Sequence, residues 1–355
     1  MDPADPFRQD RATAQAVTRR GFLVATAAGA TLAQGCASHQ PHPGNGGGPR
    51  SKKRRPTCVA AVPGGRAVTC DDHGKVYVWN IKDLSDRPEK LKDGGFKGAY
   101  VTVGVTGPQS KRPRVFCGSY DGEVEVWDLD PVVKRATFTG HVVPDEDVEV
   151  WVVAAHPARS EVVSVDNGGR LIHWKTDGRN CTVLHDENVG DGPVGGVAFV
   201  PGKDQFLTTH SHGITKLWEL SSLKQVALFK EQTELAINSV AVGPGDAAVT
   251  GGFHKIVAKL DLRGPFPPPP ATAPDPVPLF THSHRVWRVA VSPEGVVASA
   301  DDGGNVHLAK PDGTERDWNE PGGVMGVAFS IEAPRRLIYT TGTLADPLIR
   351  VVDVP

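Results

Sequence analysis

From residue 57 onward the chain alternates apolar and polar positions in short runs. VYVWN (76–80), VEVWDL (124–129), LIHWK (171–175) and TKLWEL (215–220) set a large apolar side chain at every second residue. Period two predicts half-buried strands. Each run follows a tight turn (DHGK, YDGE, NGGR or SHGI) whose glycine suits a left-handed backbone. Upstream lies a second phrase, an apolar strand and its turn: VAAVPGG at 59–65, VVAAHP at 152–157, GVAFVPG at 196–202 and SVAVGPG at 239–245. It returns as VAVSPEG at 289–295 and GVAFSIE at 326–332, with VTVGVTGP at 101–108 a looser copy. A β-rich run such as EVVSV or QFLTT joins the two phrases. RATFTGH at 135–141 and PVPLFTHSH at 276–284 supply a fourth strand.

The copies keep time. Five residues after the turn glycine comes Trp79, Trp127, Trp174 or Trp218, and Gly304 leads in the same way to Ala309. Two further copies keep the strand without the glycine, with Leu260 and Val352 at the tryptophan site. The seven sites are spaced by 48, 47, 44, 42, 49 and 43 residues. Repeats of this length are single supersecondary units that stack on their neighbours.

Four short antiparallel strands per repeat, with Gly-His and Trp-Asp marks, resemble the WD40 repeat of β-propellers. The resemblance covers residues 57–355. It implies an all-β, seven-bladed, WD40-like β-propeller with four antiparallel strands per blade. The last blade is a candidate for only three, because LIRVVDV at 348–354 looks like a third strand and residues 45–56 are poor strand material. In the family, Trp, Ser/Thr, His and Asp form a buried hydrogen-bonded chain. The match puts Asp121 and Trp127 in the second repeat, with Ser119 as hydroxyl partner, His141 in the third and His282 in the sixth. His73, His212 and His254 stand where the turn Asp is expected, so the network reads as degenerate, with no repeat holding all four members. The second blade, through Asp121, is expected to tolerate change least.

Composition sharpens this picture. Among 355 residues are 40 Gly and 30 Pro, which favours many turns over long helices. GPFPPPPATAPDPVP at 264–278 is excluded from a sheet interior and reads as a polyproline spacer or a recognition loop. The net charge of −2 gives no basic field for nucleic acid. Five cysteines without a Cys-x-x-Cys phrase argue against a zinc ribbon, a dithiol site or covalent haem. Cys58 and Cys70 flank the turn PGG, and pairing Val62 with Arg66 would set them face to face, as a disulfide or as two buried thiols. The 13 histidines, including THSH at 209–212 and 281–284, are spread over separate repeats, so no metal or cofactor is expected. No nucleophile elbow or phosphate loop occurs, and no catalytic residue is assigned.

The N-terminal 35 residues stand outside the repeat. TRRGFLV at 18–24, followed by an apolar run to Gly35, resembles a twin-arginine export signal, with Arg19, Arg20, Phe22 and Leu23 in its pattern and Val24 in place of the usual Lys. That run is about 15 residues, short of the roughly 20 needed to span a bilayer. Cys36 in LAQGCAS resembles a lipobox cysteine; cleavage and lipid attachment there, or ordinary cleavage nearby, both fit. Residues 36–56, ending in RSKKRR, then form a solvated basic tether.

The resulting expectation is a monomeric, exported, lipid-tethered scaffold in the periplasm or cell envelope. It binds protein or peptide, not nucleic acid, through a loop face. Trp151 and Trp287, aligned in VWVVA and VWRVA, and Trp318 are candidate interface anchors, with core packing as the other reading. The alternative function is an envelope enzyme or small-ligand sensor using the central channel. Converging ionisable side chains in the channel would favour that alternative; an apolar-aromatic patch on one face would favour the scaffold.

Overall fold

The computed structural model describes residues 56–354 except 72–73, 92–99, 108–111, 191, 232, 334 and 342–348, together with the pair Ala25–Thr26, which runs parallel to Gly196–Val197. Arg19, Arg20, Phe22, Leu23, Cys36 and His73 lie outside the described residues. The rest forms seven antiparallel sheets in chain order, spanning 56–90, 100–138, 150–188, 196–230, 237–281, 286–319 and 327–353. The first six carry four strands each from this repeat and the seventh carries three: Val327–Phe329, Arg336–Thr340 and Ile349–Asp353. Each sheet is a blade, and the blades form a seven-bladed β-propeller.

The register shows why the repeat is legible. Trp79, Trp127, Trp174, Trp218, Leu260, Ala309 and Val352 pair with Ala67, Val115, Val162, Phe206, Ala248, Val297 and Leu337 on the second strands. These are seven equivalent positions. The turn glycines Gly74, Gly122, Gly169, Gly213 and Gly304 all have positive φ, between 69° and 97°. At Gly304 a Cβ would stand 1.9 Å from the Glu320 carbonyl oxygen, so the position excludes side chains as well.

Burial grades from the axis outward. First strands such as Pro56–Val62, Val150–Ala155 and Ile237–Val242 are buried along their whole length, whereas Cys181–Asn188 and Val277–Thr281 on the outside are mostly exposed. The first strands are therefore largely apolar, interrupted by buried polar residues such as Asn238, Ser239 and Arg288, and the alternation appears further out. The core is assembled between blades. Leu207, Leu217 and Phe229 of blade four, for example, join Val240, Val257 and Leu260 of blade five in one cluster. The Pro-rich loop packs inward: Phe266 meets Phe229 edge-on at 5.5 Å, and the Ala273 N–H donates to the Leu228 carbonyl at 2.7 Å. Its end, Val277-Pro278, enters an outer strand, where a missing donor costs little.

Polar links also step from blade to blade. Arg66 pairs with Asp130 at 2.9 Å, Arg159 with Asp204 at 2.7 Å, Lys203 with Asp246 at 2.9 Å and Arg335 with Glu294 at 3.2 Å. Arg114 bridges blades two and three by donating to the Thr176 and Asp177 carbonyls. Exposed pairs of this kind contribute little singly.

Blade seven closes on blade one by packing and by a clamp. Val59, Ala61, Trp79 and Ile81 share a cluster with Ala328, Ile338 and Ile349. Both oxygens of Glu332 accept backbone N–H groups of the PGG turn, from Gly64 at 2.5 Å and Gly65 at 3.2 Å. Arg336 donates to the Ile81 carbonyl at 3.0 Å. Glu332→Ala is expected to lower stability by about 1–2 kcal/mol, the worth of charged hydrogen bonds at a partly exposed site. Urea titration against Glu234→Ala, a control on an exposed loop, checks this; equal midpoints would remove the clamp from the account.

Candidate functional site

The chemistry-bearing side chains fall into three places: a buried chain inside the blades, the inner end of the first strands, and the clefts between blades. The buried chain is complete in blade three. The Trp174 indole N–H donates to Ser164 Oγ at 3.0 Å, the Ser164 hydroxyl faces His141 Nε2 at 2.8 Å, and His141 Nδ1 lies 3.0 Å from Asp166 Oδ2. The carboxylate only accepts, so Nδ1 carries the proton and Nε2 accepts from the serine. Asp166 Oδ1 also accepts the Gly168 and Arg170 N–H groups of the turn, each at 3.0 Å. Phe138 stacks on the indole at 4.2 Å.

Other blades hold parts of this chain. Blade six has His282, Ser299 and Asp301, with Ala309 in place of the indole. Burial opposes ionisation of Asp301, but hydrogen bonds from His282 and Asn305 hold its carboxyl below the usual range. Blades one and four join Trp79 to Thr69 and Trp218 to Thr208, each at 2.8 Å, and Thr208 also meets His210 Nε2 at 2.7 Å.

The network is degenerate, as expected, but blade three corrects the expectation that no repeat holds all four members, and blade two is not the strongest. Cys117 there holds the hydroxyl position, and the Trp127 N–H turns to Glu125 at 2.8 Å. Ser119 stands at the acid position and accepts from the Asp121 and Glu123 N–H groups, while Asp121 itself is exposed on the turn. The acceptor sits three residues before the turn glycine, as Asp71, Ser119, Asp166, His210 and Asp301. The signal for it is a hydroxyl, one spacer and an acid or histidine: TCD, SVD, TTH and SAD.

At the inner end of the first strands, a β-bulge falls at one residue in several blades. Trp151 and Trp287 are the bulged residues in blades three and six, and Asn238 in blade five. A bulge re-aims its side chain, which is why the two tryptophans align. They are not exposed anchors: Trp151 is 3% exposed and Trp287 5%. Trp151 donates to Glu149 at 2.7 Å, and Trp287 meets Phe253 edge-on at 5.5 Å with the Arg285 guanidinium over both rings. Burial of their indoles corrects the interface expectation for this pair. Trp318 is half-buried near Tyr339, with Arg316 over its ring at 5.0 Å. Among the described residues, Arg288 is the only Asp, Glu, Lys, Arg or His on the first strands, so ionisable groups do not converge there.

Clefts lie between blades. One of about 330 Å³ is bounded by Phe280, His282, Asn305, His307, Asp317 and Trp318, with His307 Nδ1 held by Asp317 at 2.6 Å. Val277 and Leu279, on the strand that contributes Phe280, are 61% and 42% exposed. The second, about 170 Å³ between blades two and three, contains His156, Arg114, Arg159 and Glu161. His156 Nδ1 accepts the Ala158 and Arg159 N–H groups at 3.1 and 3.0 Å. Burial, reinforced by Arg159, depresses the imidazole to about 4. Among the described residues no group of three His, Cys, Asp or Glu is placed to hold a metal ion. Cys58 and Cys70 pair across the first hairpin with Val62 opposite Arg66. Of the two readings the structure has the buried thiols, with Cys70 Sγ lying 3.2 Å from Thr57 Oγ1.

No protein-family model matches the chain, and no curated protein sequence matches it. Solved structures do. The structure of U3-55K is 14% identical, covering 86% of this chain and 100% of that one, with a TM-score of 0.67. The crystal structure of RRP9 WD40 repeats is 14% identical over 86% and 96%, with a TM-score of 0.69. The fold is that of the WD40 propellers. At such identity the likeness extends to the fold alone.

Two outcomes follow. His141→Ala leaves Ser164 and Asp166 short of partners and is expected to cost about 2–4 kcal/mol, whereas Asp121→Ala stays within about 0.5; chemical denaturation of both compares them. Because folding lowers the His156 pKa, its contribution is whole above about 6.5, the unfolded value, and is lost as pH falls toward 4. His156→Asn, whose side-chain oxygen can accept the same N–H groups, should flatten the decline of Tm between pH 6.5 and 4; an unchanged slope would contradict this.

Proposed function

We propose that this chain is an exported, lipid-tethered propeller scaffold that binds a protein or peptide partner on its outer surface. The observation that carries the reading is the apolar-aromatic wall between blades five and six. There Val277 and Leu279 face solvent beside the cleft containing Phe280 and Trp318. Exposed apolar side chains next to an aromatic cleft are what an interface uses for anchors. The first strands offer a single charged side chain instead of a converging set, which weighs against chemistry in the channel. The WD40 fold supports the same reading, since a ring of blades presents a rigid surface larger than one stable interface requires.

Export and tethering rest on the sequence. Arg19 and Arg20 would direct passage of the folded ring, and Cys36 would carry the lipid. Replacing both arginines with lysine should retain the protein in the cytoplasm, and Cys36→Ser should release the exported form from the membrane fraction. For binding, co-purification from envelope fractions followed by mass spectrometry is expected to recover a partner that is lost with Leu279→Asp. Recovery of the same partner at the same yield from that variant would sink the assignment of this wall.

A further inference from the structure

Six blades carry a fourth strand drawn from their own repeat and the seventh carries none among the described residues. Among the described residues its last strand, Ile349–Asp353, pairs with Arg336–Thr340 alone, from Arg336 opposite Asp353 to Thr340 opposite Ile349. The Val354 N–H donates inward, to the Arg335 carbonyl at 3.3 Å. Antiparallel alternation then turns the N–H groups of Ile349, Val351 and Asp353 outward, along the outer edge of the blade. The side chains are left unfinished too. Trp79, Trp127, Trp174, Trp218 and Leu260 are buried at the repeat's tryptophan site, but Val352 at the same register, a larger apolar side chain than the likewise half-buried Ala309 of blade six, is half-buried, as is Val351 on the opposite face. Val351 packs partly against the blade-one side and Val352 and Val354 against the blade-six side.

The chain's own tether is badly suited to cover this edge. Residues 38–55, SHQPHPGNGGGPRSKKRR, contain no Val, Ile, Leu, Met, Phe, Tyr or Trp, and they include three prolines and four glycines before a basic run. The edge has neither lysine nor proline within Ile349–Asp353, and its two charges are taken up by the fold, Arg350 by Glu320 at 3.5 Å and Asp353 by Arg336 at 3.3 Å.

We propose that the outer edge of blade seven takes an extended segment of a partner protein as its fourth strand. The segment pairs with Ile349–Asp353 through main-chain hydrogen bonds. It carries apolar, β-branched or aromatic side chains on both faces, over Val351 on one and Val352 on the other, with no proline at the pairing positions. The proposal rests on the reading of the chain as a partner-binding scaffold and gives that reading a second, geometrically defined surface.

The test uses the full-length chain in cells of its source, with a benzophenone amino acid at position 353. Irradiation is expected to give one adduct whose cross-linked residues fall in a single extended apolar segment of another protein. A synthetic peptide of that segment, added to the purified chain, should slow hydrogen exchange of the Ile349, Val351 and Asp353 amides at least tenfold. Val351→Pro removes an outward donor and should cut adduct yield at least tenfold. Val351→Lys, which guards the edge without constraining the backbone, should do the same while the chain still unfolds in a single cooperative transition. An adduct within residues 38–55, or with position 349–353 of a second copy, overturns the proposal, as does the absence of any adduct. If the Leu279-dependent partner is still recovered in that case, the scaffold reading stands and this edge alone is refuted.

Discussion

The constraint on which the structure depends is that no blade can bury its own faces. A four-stranded sheet of about twenty residues has two apolar surfaces, and here each is covered by the next blade round the ring. The cluster joining Leu217 and Phe229 to Val240 and Leu260 is one such contact, and Val59, Trp79 and Ile338 form the contact that closes the circle. Removing one contact exposes two faces, so the ring gains stability mainly from being complete. This also explains the gradient of burial, with first strands enclosed on both sides and outer strands open to solvent.

Polar groups inside such packing must find partners or be lost from the sequence. Blade three satisfies the requirement through Trp174, Ser164, His141 and Asp166 acting as one donor-acceptor chain. Blade two meets it differently: with Cys117 in the hydroxyl position, the Trp127 N–H is taken by Glu125, itself paired with Lys134. Blades five and seven drop the tryptophan and place Leu260 and Val352 there, removing donor and requirement together. The blades are therefore interchangeable in backbone and unequal in chemistry, and function is free to settle on the unequal parts. Those parts are the exposed apolar strand of blade five, the cleft beside it and the short seventh blade.

The repeat was legible from the chain alone: its length, its seven copies and the four-strand unit, while the three-stranded seventh blade was one reading of two until the sheets were seen. Each is set by local chemistry, since alternation, turn glycines and spacing act over fewer than fifty residues. Cys58 opposite Cys70 was legible for the same reason, because a hairpin's register follows from its turn. Tertiary structure alone decided which side chains meet. The misplaced acceptor, read at Asp121 instead of Ser119, came from assuming that the turn residue nearest glycine points inward, when it is the last residue of the preceding strand that does. Trp151 and Trp287 read as interface anchors or as core packing, since an aromatic residue at a strand end serves either; a bulge turns them inward, and a bulge is a property of two paired strands, not of one. Exposure of Val277 and Leu279, and of half of Val352, depends on which neighbour is absent, and absence of a neighbour is written nowhere in a local run of residues.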